Sequence, residues 1–198
     1  MSEILTQKSS SRPSGLKTID IVYIGIFAAL MAVCSWISIP VPAPFVPFTL
    51  QTFAVFLSVC LLGGFRGTLS VLVYILLGAV GLPVFAGFSG GAGILAGTTG
   101  GYIIGFLLAA LTMWLCEFLL GKRFWAYAAA MFLGLLVCYT FGTVWFMAVY
   151  SRTSGTAGLL TVLGWCVFPF IIPDLLKIAL ALFIGTNKGV RKAIYSHD

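Results

Sequence analysis

The chain has 198 residues, of which 61% are apolar and 8% are charged, and its mean hydropathy is +1.12. Soluble domains carry about 25% charged residues, so this chain lacks the polar surface that a water-soluble protein needs. The net charge of +6 does not indicate a nucleic-acid partner, because the basic residues are scattered and form no basic stripe. The composition therefore predicts an all-α integral membrane protein whose solvent is the lipid bilayer.

Six apolar segments follow one another along the chain, and each is a candidate membrane-spanning helix. They cover residues 19–37, 49–62, 68–80, 102–120, 125–150 and 159–184. The second and third are shorter than the roughly 20 residues of a full span, and short segments flanked by Gly and Pro indicate a binding cavity in transporters. We expect a cytoplasmic N-terminal tail over 1–17, a six-helix membrane domain over 18–186, and a basic cytoplasmic tail over 187–198.

Positive charge alternates between the connections of these segments. Nine Lys and Arg residues fall in the two termini and in the second and fourth connections, whereas the other connections hold only Arg152. Connections that stay in the cytoplasm collect Lys and Arg. The alternation therefore predicts an even number of spans, with both termini in the cytoplasm.

The first and third connections, which should face outward, carry no charge. The first contains four prolines between residues 38 and 48, and the third, over residues 81–101, is rich in glycine. Proline prevents a regular helix, and irregular backbone at membrane depth is tolerated where it is buried or lines a cavity. We therefore expect these two connections to cover a cavity.

Residues suited to catalysis or metal binding are scarce. The single histidine is His197, and the sequence has no H-E-x-x-H, G-x-S-x-G or P-loop motif. The five cysteines lie apart within apolar segments and form no C-x-x-C pair, which is typical of small buried side chains. The sequence predicts neither an enzyme nor a cofactor or metal site.

The strongest signal for a binding site is the pair Asp174 and Lys177 within the last apolar segment. Their spacing of three places both on one helix face, and ionisable residues at membrane depth by default mark a site. Because Pro173 suits the first turn of a helix, we expect the last span to break between Pro169 and Pro173. The pair is either a structural ion pair that only neutralises itself or a site for a polar ligand that uses both groups, and we prefer the second interpretation.

Small residues recur at a spacing of four in two segments. In the first segment these are Ala28 with Ala32 and Gly25 with Ala29. The series that leads into the fourth segment is Gly97, Gly101, Gly105 and Ala109. Such spacing lets helices approach closely. Packing within the chain and docking of another membrane subunit remain open for the first segment, whereas packing within the chain is favoured for the fourth.

Several motifs, taken together, resemble the BioY family, the biotin-specific substrate-binding subunits (S components) of energy-coupling factor (ECF) transporters. They are P-F-V-P-F-T-L-Q-T at 44–52, L-G-G at 62–64, G-L-P-V-F-A at 81–86, T-G-G-Y-I-I-G-F at 99–106 and P-D-L-L-K at 173–177. The resemblance extends over nearly the whole chain after Lys17. One departure is at 97–101, where the expected Pro-Thr-Gly-Gly lacks its proline.

The resemblance implies a six-helix subunit of the bacterial cytoplasmic membrane that binds biotin from outside with high affinity. Such a subunit works with a membrane coupling subunit (T component) and two cytoplasmic ATPases, and it needs no cofactor. In the family, the coupling subunit is thought to dock on an Ala-x-x-x-Ala face of the first helix, which here fits Ala28 and Ala32.

The chemistry of biotin suggests how these residues would bind it. We expect Asp174 to accept the ureido N–H groups and Lys177 to donate to the ureido oxygen. Arg152 is a candidate for the biotin carboxylate. The other candidate substrate-binding residues are Gln51, Ser89, Thr99, Gly100, Tyr102 and Phe45.

Three alternatives stay open from the sequence. The chain could be an S component for another vitamin, such as thiamine or riboflavin. It could be a small integral membrane enzyme with a lipid-soluble substrate, although it lacks an acid–base set. It could also be a packing protein without a ligand, in which Asp174 and Lys177 would be jointly replaceable by Leu and Met.

Overall fold

The computed structural model describes residues 16–39 and 46–195. Most of the predicted N-terminal tail, Phe45 and His197 lie outside the described residues. The helices in chain order are α1 (Thr18–Trp36), α2 (Gln51–Leu62), α3 (Gly64–Val80), α4 (Ala92–Ala96), α5 (Gly100–Leu120), α6 (Phe124–Thr153), α7 (Leu159–Cys166), α8 (Phe168–Gly185) and α9 (Lys188–Tyr195).

The six predicted apolar segments are all helical, which confirms the all-α membrane fold. Among the described residues, α1, α5, α6 and α8 are long and apolar enough to cross a membrane, and α2 and α3 are shorter apolar helices. The predicted sixth segment is divided into α7 and α8. The region predicted as a basic C-terminal tail contains α9.

The division of the sixth segment lies before both prolines, so the prediction of a break between Pro169 and Pro173 is wrong. The chain leaves helical geometry at Val167, with φ −125° and ψ −57°, and α8 begins at the next residue. Pro169 then lies in the first turn of α8, where a missing backbone N–H costs nothing. Pro173 lies inside α8.

Helices α5 and α6 approach closely because glycine occupies their contact face. A Cβ on Gly101 would lie 2.3 Å from the Cβ of Trp145, and a Cβ on Gly142 would lie 2.3 Å from the Tyr102 ring. Both distances are far below van der Waals contact, so a larger residue at either position would push the helices apart. The small-residue spacing of the fourth segment thus serves packing within the chain.

The basic connections meet at one end of the bundle, here called the inner end. Arg66 at the start of α3 lies 2.9 Å from the carboxylate of Asp20 in α1, and Lys122 lies 3.1 Å from that of Glu117 in α5. The second oxygen of Glu117 accepts the backbone N–H of Gly64 at 2.6 Å, which stabilises the positive end of α3. The placement agrees with a cytoplasmic inner end.

Helix α9 is attached to the same inner end through Arg191. Its guanidinium donates to the backbone oxygens of Gly185, at 2.9 Å, and Cys60, at 3.0 Å, and it lies over the Tyr127 ring at 5.2 Å. Both carbonyls belong to the last turn of a helix, where backbone acceptors lack helical partners and the dipole favours a cation.

The opposite, outer end is covered by the connection after α3 and by the described part of the first uncharged connection, residues 38–39 and 46–49. Ser38–Ile39 and Phe48–Thr49 form a short antiparallel ribbon, β1 and β2. In the connection after α3, the backbone oxygen of Pro83 accepts from the Trp36 indole at 2.8 Å, and that of Val84 accepts from the Ser35 hydroxyl at 2.6 Å. The outer end of α1 therefore holds this connection against the bundle.

Candidate functional site

A cavity of about 150 Å³ lies beneath these connections in the outer half of the bundle. Its polar side chains come from the start of α2, the connection after α3, α5, α6 and α8. They belong to Thr49, Gln51, Thr52, Ser89, Thr99, Tyr102, Tyr139, Asp174 and Lys177. Apolar side chains, such as Phe106 and Ile94, form most of the remaining wall.

The charged part of the cavity is a hydrogen-bonded group of three residues on α6 and α8. Lys177 donates to Oδ1 of Asp174 at 2.7 Å, and the hydroxyl of Tyr139 donates to Oδ2 at 2.5 Å. Asp174 and Lys177 are 3% and 9% exposed. Because each carboxylate oxygen has two lone pairs, Asp174 keeps acceptor capacity toward the cavity after these two bonds form.

Gln51 connects the cavity to the outer cover. Its amide nitrogen donates to the Tyr74 hydroxyl, and this hydroxyl donates to the backbone oxygen of Val84 at 3.1 Å. Its amide oxygen accepts from the Thr49 hydroxyl at 3.0 Å. The chain of bonds fixes the orientation of the buried Gln51 amide and ties α2 and α3 to the connection above the cavity.

Aromatic rings shape the apolar wall. Phe85, which is 1% exposed, makes an edge contact with Tyr74 and fills the space above Gly78, where a Cβ would lie 2.0 Å from the ring. Phe170 from α8 stacks on Phe48 of β2 with ring centroids 4.2 Å apart. The cavity is thus an apolar slot with its charged group on one side.

The structure brings six of the sequence-predicted residues to this cavity and leaves the others elsewhere. Those that line it are Gln51, Ser89, Thr99, Tyr102, Asp174 and Lys177. Gly100 begins α5 and packs against the backbone of Leu95, where a Cβ would lie 1.8 Å from a carbonyl oxygen. Arg152 lines a separate groove. Phe45 lies outside the described residues.

The two residues predicted to receive the coupling subunit, Ala28 and Ala32, do not face outward. Ala28 and Ala32 are 2% and 6% exposed and pack inside the bundle. Gly25 and Ala29, on the neighbouring face of α1, are exposed. The rotation of α1 about its axis decides which of its small residues face outward. The spacing of these residues in the sequence does not specify this rotation.

Tyr139 is the main site residue that the sequence analysis missed. It lies 35 residues before Asp174, within a long apolar segment. No spacing rule links positions on two helices that are so far apart in the chain. The only available signal was its hydroxyl, since a buried tyrosine hydroxyl usually finds a hydrogen-bond partner.

The arrangement is suited to holding a ligand that is mostly apolar and has a compact polar group with both donors and acceptors. Asp174 accepts, Lys177 donates, and the neutral side chains supply weaker bonds at the other walls. Within the described part of the chain, no three His, Cys, Asp or Glu side chains are grouped to hold a metal ion.

Comparison with known proteins gives a consistent result. The model of the BioY family matches residues 6–194. A "Biotin transporter BioY" of Thermotoga maritima is 43% identical over 166 residues, covering 84% of this chain and 93% of the relative. A "Probable biotin transporter BioY" of Pyrococcus horikoshii is 39% identical over 170 residues, covering 86% and 96%.

A solved structure is also similar. It is described as the S-component for biotin from an ECF-type ABC transporter, at 2.1 Å. It superposes with a TM-score of 0.74 and is 27% identical, covering 84% of this chain and 88% of that chain.

Proposed function

Since the chain belongs to the BioY family, we propose that it binds biotin with high affinity and serves its uptake across the cytoplasmic membrane, as the S component of an ECF transporter. One observation carries this proposal. The Asp174–Lys177–Tyr139 group lies buried at one side of an otherwise apolar cavity, where a vitamin with a polar ring and an apolar body fits.

The ureido ring of biotin has two N–H donors and one carbonyl acceptor, which complement the acceptors and donors of this group. Its N–H groups would donate to the free lone pairs of Asp174, and its carbonyl oxygen would accept from Lys177. Tyr139 and Lys177 already engage one lone pair on each carboxylate oxygen, so they hold the carboxylate in a fixed orientation before biotin arrives. Such preorganisation lowers the entropic cost of binding.

The rest of the vitamin would lie against the apolar wall. Phe85, Phe170 and Phe106 supply surface for the bicyclic ring and the valeryl chain. Among the described lining residues Lys177 is the one cation, and it is paired with Asp174. The biotin carboxylate is therefore assigned to a neutral donor near the outer cover, such as the Thr99 hydroxyl, and not to Arg152.

A coupling subunit and two ATPases would drive release, since a binding subunit without an ATP-binding motif needs an energy source. The exposure of α1 supports Gly25 and Ala29 as the small residues that receive the coupling subunit. This choice replaces Ala28 and Ala32, whose side chains are occupied within the bundle.

The proposal is tested by measuring equilibrium binding of labelled biotin to the purified, detergent-solubilised protein. ATP and the partner subunits are left out of this measurement. We expect saturable one-to-one binding that unlabelled biotin displaces and that thiamine and riboflavin do not. Displacement by either of those vitamins would reassign the substrate. A folded protein that binds none of the three would refute the proposal, and chemical conversion of the bound compound would indicate an enzyme.

A further inference from the structure

A second groove, of about 620 Å³, lies on the outside of the bundle between α4, α5 and α6. Trp145, Ala148, Val149 and Arg152 line it from α6. Their spacing of three, four and seven residues places them on one helix face, over about 10 Å along the axis. The lining from the other two helices is apolar and consists of Ala92, Leu95, Ala96 and Ile104.

Arg152 lies at the end of this groove that is nearest the outer end of the bundle. It is exposed in the last turn of α6, and it is the one Lys or Arg of the outward-facing connections. Within the described residues, no carboxylate lies within ion-pair distance of it. A guanidinium is weakly hydrated and binds the oxygens of a phosphate in pairs, so its ordinary partner at a membrane surface is a phosphate.

We propose that this groove binds one phospholipid of the outer leaflet. The phosphate would be held by Arg152, and an acyl chain would follow the face of α6 past Ala148 toward Trp145. The apolar length below a single cation matches an amphiphile whose charge lies at the interface and whose chain lies in the bilayer. A soluble anion has no apolar group that could be buried in the apolar part of the groove.

The groove and the binding cavity share a thin wall. Ile94 and Thr99 line the cavity, whereas Leu95 and Ala96, on the same short stretch of chain, line the groove. The Trp145 indole donates to the backbone oxygen of Gly97 at 3.0 Å within this stretch. A lipid in the groove would therefore support the cavity wall from outside. This consequence, unlike the lipid site itself, rests on the proposed function.

Native mass spectrometry of the full chain in detergent, with phosphatidylglycerol added and no biotin present, tests the site. Arg152→Gln removes the phosphate partner, and Ala148→Phe fills the groove while leaving Arg152 in place. Arg123→Gln is the matched control, because Arg123 is also exposed but lies at the inner end. Diacylglycerol and glycerol 3-phosphate serve as ligands that lack the phosphate or the chains.

We expect Arg152→Gln to weaken binding of one phosphatidylglycerol at least about tenfold, the size of a lost charge-assisted contact. Ala148→Phe should weaken it as well, because the added ring takes the space of the acyl chain. The Arg123→Gln protein should bind as the unchanged protein does. If both groove variants bound phosphatidylglycerol as tightly as the unchanged protein does, the proposal would be overturned. Diacylglycerol or glycerol 3-phosphate bound as tightly as the phospholipid would also overturn it. Because biotin is absent, loss of the biotin assignment would leave this result standing.

Discussion

Asp174→Asn removes the negative charge of the binding group, while asparagine keeps the shape of the side chain and one acceptor oxygen. In the structure, Asp174 is 3% exposed and accepts from Lys177 at 2.7 Å and from Tyr139 at 2.5 Å. The substitution would place an amide N–H where the ureido N–H groups of biotin require an acceptor. It would also leave Lys177 without its counter-charge.

The expected loss of affinity follows from the contact that disappears. A hydrogen bond to a charged group contributes about 1.5–3 kcal/mol, which corresponds to a Kd raised roughly tenfold to a hundredfold. Removal of one partner of a buried pair also lowers the free energy of unfolding, by up to about 3–5 kcal/mol. Affinity therefore has to be measured on protein shown to be folded.

Titration of labelled biotin into the detergent-solubilised variant, after size-exclusion chromatography, measures this effect. Glu117→Gln is the matched control, since Glu117 is also a helix carboxylate paired with a lysine, Lys122 at 3.1 Å, but lies at the inner end. The control should lower thermal stability and leave the Kd unchanged. An unchanged Kd for Asp174→Asn, or an equal loss in both variants, would refute the assignment of the ureido ring to Asp174.

Three further predictions concern the surroundings of this group. Tyr139→Phe removes one hydrogen bond to the buried carboxylate, so it should lower the free energy of unfolding by about 1–3 kcal/mol and raise the biotin Kd about threefold to tenfold; titration of biotin and thermal unfolding of the same sample separate the two effects, and an unchanged Kd would contradict a positioning role. Gly78→Ala should lower both stability and affinity, because its Cβ would meet the Phe85 ring at 2.0 Å; a thermal melt equal to that of the unchanged protein would contradict the packing argument. Ala29→Trp should block co-purification of the coupling subunit and spare biotin binding, whereas Ala129→Trp, at an exposed alanine of α6, should affect neither.

Much of the membrane architecture could be predicted from the sequence because its causes are local. Transfer of apolar segments into lipid depends on composition along the chain, so the six segments and the all-α class were recoverable. The alternation of Lys and Arg is a local property as well, and it predicts the orientation of the chain in the membrane. The pairing of Asp174 with Lys177 was also accessible, since residues three apart on a helix are neighbours in any fold.

Contacts between segments could not be predicted so well. Tyr139 reaches Asp174 only because α6 and α8 pack with particular rotations, and no property of either segment specifies these rotations. The same holds for α1, where two overlapping pairs of small residues are equivalent in the sequence, yet Ala28 is buried and Ala29 is exposed. For Arg152, the sequence predicts the side of the membrane on which it lies. It does not specify which cavity or groove the side chain lines.

The sequence by itself thus determined the lipid solvent, the six apolar helical segments, and the charged pair within the last of them. Only the tertiary structure decided which side chains from different helices surround that pair, where the last span breaks, and that Arg152 lies outside the cavity. The physical reason is that hydropathy and charge act along the chain, whereas packing depends on how neighbouring helices rotate and fit together.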